Sequence, residues 1–404
     1  MIALHDRKAC TGCTACAAVC PVQCIQMIPD EEGFLYPVVD TETCIHCGRC
    51  EQVCPVSAKR EEKSFPQEAY VLQHRDEDVR HESTSGGAFS AIAEWIIGQG
   101  GVVFGAAFTD DFTVIHTAVV EKKDLWKFRN SKYVQSDVGR TYEEAAACLS
   151  QGRWVCYSGT PCQIEGLAAY LGKPYERLIT VDIVCHGVPS PLIWRKYLEM
   201  QDGKLGSYAG IRFRDKYYGY KYSTLSFFDR AGKTIYAHGI DTDQMTRAFF
   251  SDICDRPSCY HCPFKKRYRV SDFTLWDCFD VFLYDRRMDD DRGTSSVLIH
   301  TDKGRQVFSE VKKQARCRQV SPDLLTSCAK EMFHSVSPNP RRGAFFEDAR
   351  HLSGQELFDR YFPETARVRC ARFLRVSMYR LGIYAPVKRV VTRVKRIRRR
   401  QRQA

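Results

Sequence analysis

Apolar positions along the middle of the chain alternate between two periods. Ala88–Gly98 repeats at helical spacing, and Gly101–Phe108 after it is an apolar run of strand length. Arg153–Ser158 (RWVCYS) predicts a second strand; the turn Gly159–Pro161 (GTP) stops it, and a helix continues to about Leu171. Leu178–Cys185 (LITVDIVC) predicts a third strand, which ends in His186–Ser190 (HGVPS). Strand and helix in alternation predict an α/β core with a largely parallel sheet. Beyond about Ala344 the pattern turns helical and basic. There Val387, Val390, Val391, Val394 and Ile397 follow Pro386 at helical spacing, with Lys or Arg at most intervening positions. No apolar run reaches about 18 residues, so no membrane span is predicted.

The head of the chain follows another rule. Cys10, Cys13, Cys16 and Cys20, then Pro21, repeat as Cys44, Cys47, Cys50 and Cys54, then Pro55. In each copy three thiolates on one tight loop suit three corners of a 4Fe-4S cubane, while the cysteine before proline reaches the neighbouring cluster. The spacing therefore predicts one cluster on Cys10, Cys13, Cys16 and Cys54, and another on Cys44, Cys47, Cys50 and Cys20. Zinc gives no reason for the repeated third cysteine and the terminal Cys-Pro pair. Disulfides need an oxidising compartment, and the start MIALHDRKAC lacks the charged-then-apolar profile of a signal peptide. Residues 1–57 resemble a dicluster bacterial ferredoxin, an α+β ferredoxin-like unit, and a cytoplasmic setting is expected.

The polar stretch Ser57–Gln67 reads as a linker. The expected division is a ferredoxin domain over 1–57, a linker over 58–70, an oxidoreductase core over 71–344 and a helical basic extension over 345–404. The net charge of +11 belongs to that extension. After Glu364 the chain holds 14 Lys or Arg and no acid, whereas the remainder sets 46 basic residues against 49 acidic ones. A basic amphipathic end suits an anionic membrane surface or an acidic partner. No groove-reading motif accompanies the charge, so no specific nucleic acid is expected. The extension is expected to bring the protein to the inner face of the membrane as a peripheral contact.

Three features of the core ask for chemistry. Ser83–Gly87 (STSGG) opens a helix with two glycines, a geometry that attracts phosphate oxygens and also serves as an ordinary turn and cap. Cys162 falls in the first turn of the helix after Gly159–Pro161, where amide dipoles favour a thiolate. With Cys185 at a strand end, and with Cys259 and Cys262 as a close pair, it can hold a further 4Fe-4S cluster at the carboxyl edge of a parallel sheet. A local set, Cys254, Cys259, Cys262 and Cys278, competes, since that opening spacing also occurs in 2Fe-2S loops. Cys24, Cys148, Cys156, Cys254, Cys278, Cys317, Cys328 and Cys370 read best as small buried hydrophobes. The third feature, Asn130–Gln135 (NSKYVQ), taken alone is a loop.

These features, in this order, resemble the coenzyme F420-reducing hydrogenase/dehydrogenase beta-subunit family. The matching blocks are SGGAFSAIAEWIIGQGGVVFGAAF, SKYVQS, SGTPCQIEGLAAYL, VDIVCHGVPSP, RPSCYHCPFK and SDFTLWD, with a weaker extension through GTSSVLIHTDKG. The resemblance implies an FAD-binding core with its own 4Fe-4S cluster on Cys162, Cys185, Cys259 and Cys262. It implies Ser85, Gly86, Gly87, Ser131, Lys132, Gly159 and Thr160 as FAD positions. One departure is Trp276, where family members often carry glycine, so that segment is not carried over. A flavin joins one-electron clusters to a two-electron substrate such as a deazaflavin coenzyme or another small molecule. The expected function is thus an iron-sulfur flavoprotein oxidoreductase. The alternative is an electron-carrier subunit that docks on a partner oxidoreductase. His186 is expected to support the cluster rather than to catalyse, and no catalytic base is assigned.

Overall fold

The computed structural model describes residues 2, 7–57, 62–384 and 386–388. Val390, Val391, Val394 and Ile397 of the expected amphipathic helix lie outside the described residues.

Near the N-terminus, β1 (Ile25–Pro29) and β2 (Leu35–Val39) form an antiparallel hairpin with Ile25 opposite Val39. Around it lie two short helices, Ala15–Ala18 and Arg49–Gln52. Each is entered through a residue in the left-handed region, Thr14 (φ 68°) and Gly48 (φ 72°). Those residues follow Cys13 and Cys47, so the cysteine repeat is also a backbone repeat.

The core holds eleven further strands: β3 (Glu68–His74), β4 (Val102–Phe108), β5 (Val114–Val119), β6 (Val155–Gly159), β7 (Leu178–Ile183), β8 (Gly210–Asp215), β9 (Thr224–Phe228), β10 (Thr234–Gly239), β11 (Phe273–Asp277), β12 (Ser295–Ile299) and β13 (Ala315–Val320). Eight of them make one sheet in the order β13-β3-β12-β11-β7-β6-β4-β5. Only its centre is parallel: β4 with β6, β6 with β7, and β7 with β11. The expectation of a largely parallel sheet is therefore corrected to a mixed one with antiparallel flanks. The physical reason is visible at β4–β5. The turn from Thr109 to Thr113 is too short for a crossover, so the next strand must return antiparallel. The central strands match the sequence reading because both faces of the sheet are covered and most of their residues are buried, exposure rising toward their carboxyl ends.

The helix Ala88–Gly98 covers one face, burying Ile92 and Ile96 against Val103, Ile179, Val297 and Phe308. The helix Pro161–Leu171 is the crossover from β6 to β7, and its Ile164 and Leu167 join Tyr142 and Tyr157. Ala15, Cys16, Cys50 and Val53 belong to this same hydrophobic cluster. The cysteine-rich unit is thus packed into the core.

Strands β8, β9 and β10 form a separate antiparallel sheet. It packs through Phe213 and Phe227 against Trp194 and Tyr197 of the helix Pro191–Leu205. The helix Arg342–His351, which crosses the expected boundary at 344/345, and the helix Gly354–Tyr361 after it bury Phe345, Phe346, Leu357 and Phe358 in that cluster. The next helix, Ala366–Arg380, buries nothing.

Candidate iron-sulfur and cofactor site

Parallel strands deliver their carboxyl ends to one edge, and the core cysteines lie there. Strand β6 runs into Thr160, whose side chain and that of Gln163 form a reciprocal cap on the helix that follows. Cys162 is held in this first turn, its Sγ 3.1 Å from Thr160 Oγ1. Cys185 follows β7, Cys259 lies within the 3-10 turn Pro257–His261, and Cys262 ends it. Cys162, Cys185 and Cys259 all feel the charge of Cys262, so the four thiols lie near one another. Cys254 and Cys278 go elsewhere, each into a different hydrophobic cluster. The structure thus brings together the dispersed set and separates the local one.

Burial governs these thiols. It pushes Cys162 up to about 11 and Cys185 up to about 12, and raises Cys259 and Cys262 as well. The thiolate expected at the helix start is not obtained without a metal, because desolvation outweighs Thr160 and the local backbone; binding must displace protons. A tetrahedral zinc site with Zn–S near 2.3 Å would place its sulfurs about 3.8 Å apart. Among the described residues no three cysteine sulfurs lie within 4.8 Å of one another. The core thiols are therefore not gathered as tightly as one tetrahedral ion would hold them.

In the N-terminal unit, Cys16 feels Cys10 and Cys54, and Cys13 feels Cys10 and Cys16, which is the first set. Cys20, Cys44, Cys47 and Cys50 surround a second small hollow, where Cys47 is exposed. Cys24, read from sequence as a packing residue, lines the same hollow, with its Sγ 3.4 Å from that of Cys20. Its only sequence signal is its place four residues after Cys20. Cys13 also feels Cys162. Gly166 permits this approach, since a Cβ there would stand 3.0 Å from Cys13 Cβ and 3.1 Å from its Sγ.

Beside Cys162 and Cys185 opens a cavity of about 520 Å³. Ser85, Gly87, Ser131, Lys132, Gly159 and Thr160 all line it; Gly86 does not. Trp276 lines it too while packing partly against the cluster around Cys278. Lys132 donates to the carbonyls of Lys127 (2.6 Å) and Arg129 (3.1 Å), and burial pushes its amine down to about 7. His116 is pushed down to about 4 by burial and is neutral near pH 7. Two arginines that sequence reasoning missed complete the wall. Arg214 pairs with Asp277 (2.9 Å) and with Tyr133 Oη (2.9 Å), yet its Nη2 has no hydrogen-bond partner among the described residues, and neither does Arg129 Nε. Buried, unpaired cationic donors fit a ligand that carries acceptor oxygens.

Fold and site together define an iron-sulfur redox protein whose cysteine-rich head is packed onto a cavity-bearing α/β core. Residues 9–58 and 36–85 match models of 4Fe-4S dicluster domains. Residues 152–323 match the model for the C terminus of the coenzyme F420 hydrogenase/dehydrogenase beta subunit, and that segment follows the dicluster unit. No curated protein matches. Among solved structures, a chain of the F420-reducing NiFe hydrogenase complex from Methanosarcina barkeri is 18% identical, with a TM-score of 0.46, over 67% of this chain and 89% of that one.

Proposed function

We propose that the protein is an iron-sulfur flavoprotein oxidoreductase, passing electrons between 4Fe-4S clusters and, through FAD, a two-electron substrate such as a deazaflavin coenzyme or another small molecule. The observation that carries the reading is the shared wall: Cys162 and Cys185 border the cavity lined by six of the seven FAD positions. FAD, when bound, exchanges electrons singly and in pairs. Around it, Ser85, Gly87, Ser131, Thr160 and the first turn of the helix Pro161–Leu171 would supply hydrogen bonds, Lys132, Arg214 Nη2 and Arg129 Nε would face negative oxygens, and Trp276 and Phe279 would wall the pocket. Cys13 beside Cys162 joins the first N-terminal set to the core set.

Anaerobic purification followed by iron, sulfide and flavin quantification on one sample tests this. About twelve irons and one FAD per chain are expected, at four irons per cubane. About eight irons and no flavin would overturn the flavoprotein reading.

A second reading has its own support. Exposed Cys47 lies among exposed apolar neighbours, Ile45 (60%) and Val22 (41%), a surface suited to a docking redox partner. An electron-carrier subunit would show no turnover with a small molecule unless that partner is added.

Among the described residues no helix is long and apolar enough to cross a membrane. We place the protein in the cytoplasm with its basic end on anionic lipid. Phe373 (70%), Leu374 (58%) and Leu381 (71%) stand exposed among arginines of the C-terminal helix. Residues 386–404 add nine Lys or Arg, each worth about 1 kcal/mol near such a surface. Deleting 386–404 is expected to abolish co-sedimentation with anionic vesicles; unchanged co-sedimentation would remove the membrane from the picture.

A further inference from the structure

Asp255 is fully buried, and neither of its carboxylate oxygens has a hydrogen-bond partner among the described residues. The residue is otherwise firmly held. Its backbone carbonyl accepts from Arg342 Nη2 (3.0 Å), and it bridges to Pro189 across two loops. The carboxylate lies flat against Gly187, where a Cβ would come 2.7 Å from both its Cγ and its Oδ2. Any side chain at 187 would displace it, so glycine is what admits the carboxylate at this point.

The nearby cations are spent elsewhere. Arg342 makes a two-point contact with Glu32, and Lys265 Nζ donates to the carbonyls of Cys185, His186 and Glu331. An isolated buried carboxylate is costly unless it is paired or binds a metal. Two further ligand groups stand beside it. His186 Nε2 and Asp252 Oδ1 are 2.8 Å apart, and ligand atoms of His186, Asp252 and Asp255 all lie within 4.8 Å of one another. Among the described residues no other three His, Cys, Asp or Glu side chains come this close.

We propose that His186, Asp252 and Asp255 bind one divalent transition-metal cation, distinct from the iron-sulfur clusters. One imidazole and two carboxylates make a mixed nitrogen-oxygen set that favours zinc, manganese or ferrous iron over magnesium or calcium, which prefer oxygen alone. Ligand bonds of about 2.0–2.2 Å fit three atoms this close, with the ion taking the place of the His186–Asp252 hydrogen bond. His186 and Gly187 also line the cavity, so the ion sits beside the pocket whether or not a flavin occupies it. Its positive charge answers the buried carboxylate and faces the thiols of Cys185 and Cys259, which feel Asp255.

The test uses the full chain with clusters assembled anaerobically and excess metal removed. Titration with Mn2+, followed by the loss of the free-ion EPR signal, is expected to saturate at about one ion per chain and to be reversed by Zn2+. Asp252→Asn and Asp255→Asn are each expected to weaken Mn2+ binding about tenfold or more, with iron, sulfide and flavin contents unchanged. The Asp252 side chain is 22% exposed, so D252N decides the matter if D255N fails to assemble. Absence of saturable Mn2+ or Zn2+ binding to the wild type, or wild-type affinity in D252N, would overturn the proposal. Flavin content is read separately, so failure of the flavoprotein reading leaves this result distinct.

Discussion

Arg256→Ala is expected to lower the free energy of unfolding by about 3 kcal/mol or more, because three charge-assisted hydrogen bonds disappear and leave their acceptors unpaired. Arg256 is 1% exposed. Its guanidinium donates to the carbonyl of Cys10 (2.8 Å), to Gln135 Oε1 (2.9 Å) and to the carbonyl of Leu35 (2.9 Å), and it lies 4.2 Å from the centre of the Tyr36 ring. Two of those acceptors belong to the N-terminal unit and one to the cavity wall. Its own backbone carbonyl accepts from Cys259 N (2.9 Å), which anchors the loop of the core cysteine pair. One side chain thus sets the spacing between two cysteine sets. The same variant should therefore slow electron exchange between the N-terminal clusters and the proposed core cluster, measured by rapid freezing and EPR after partial reduction. Arg256→Lys keeps the charge without the planar fork and should fall between the two. A wild-type denaturation midpoint together with wild-type exchange in R256A would show that the contact holds nothing.

The sequence made some of this legible for physical reasons. A mostly apolar, β-branched run of strand length reads as a buried central strand, so Leu178–Cys185 foretold β7 within two residues. Cubane loops demand fixed cysteine spacing, so the N-terminal sets were readable from the chain alone. Strands β8, β9 and β10 were not, because their inward residues pack against distant aromatics rather than repeating along a regular face. Arg129, Arg214 and Asp255 carry no local signal either. Their roles come from which segments the sheet brings side by side, and burial turns ordinary residues there into unpaired donors and acceptors. Burial likewise reversed the expectation for Cys162, since a dipole at the helix start is a smaller effect than removing a thiolate from water.

The glycine pair shows how far a motif can mislead even when its place is right. Gly86→Ala is expected to destabilise the fold by about 3 kcal/mol, the upper part of the range for overpacking, because the added carbon meets backbone that cannot swing aside. A Cβ at 86 would come 2.1 Å from the carbonyl oxygen of Leu72 on β3 and 2.5 Å from Ser295 N on β12. The residue is stitched between those strands: its carbonyl accepts from His74 N (2.7 Å), and its amide donates to Ser295 Oγ (2.9 Å). Gly87 differs. It lines the cavity at φ 86°, where alanine suffers a left-handed backbone costing about 1–2 kcal/mol and meets His74 Cβ at 2.9 Å. The two variants should therefore separate two roles that the sequence presents as one. In thermal or denaturant unfolding G86A should lose far more stability than G87A. In flavin quantification G87A should lose cofactor out of proportion to its stability. Equal stability losses would mean that the strands yield at Gly86, and full flavin occupancy in G87A would remove this turn from the cofactor site.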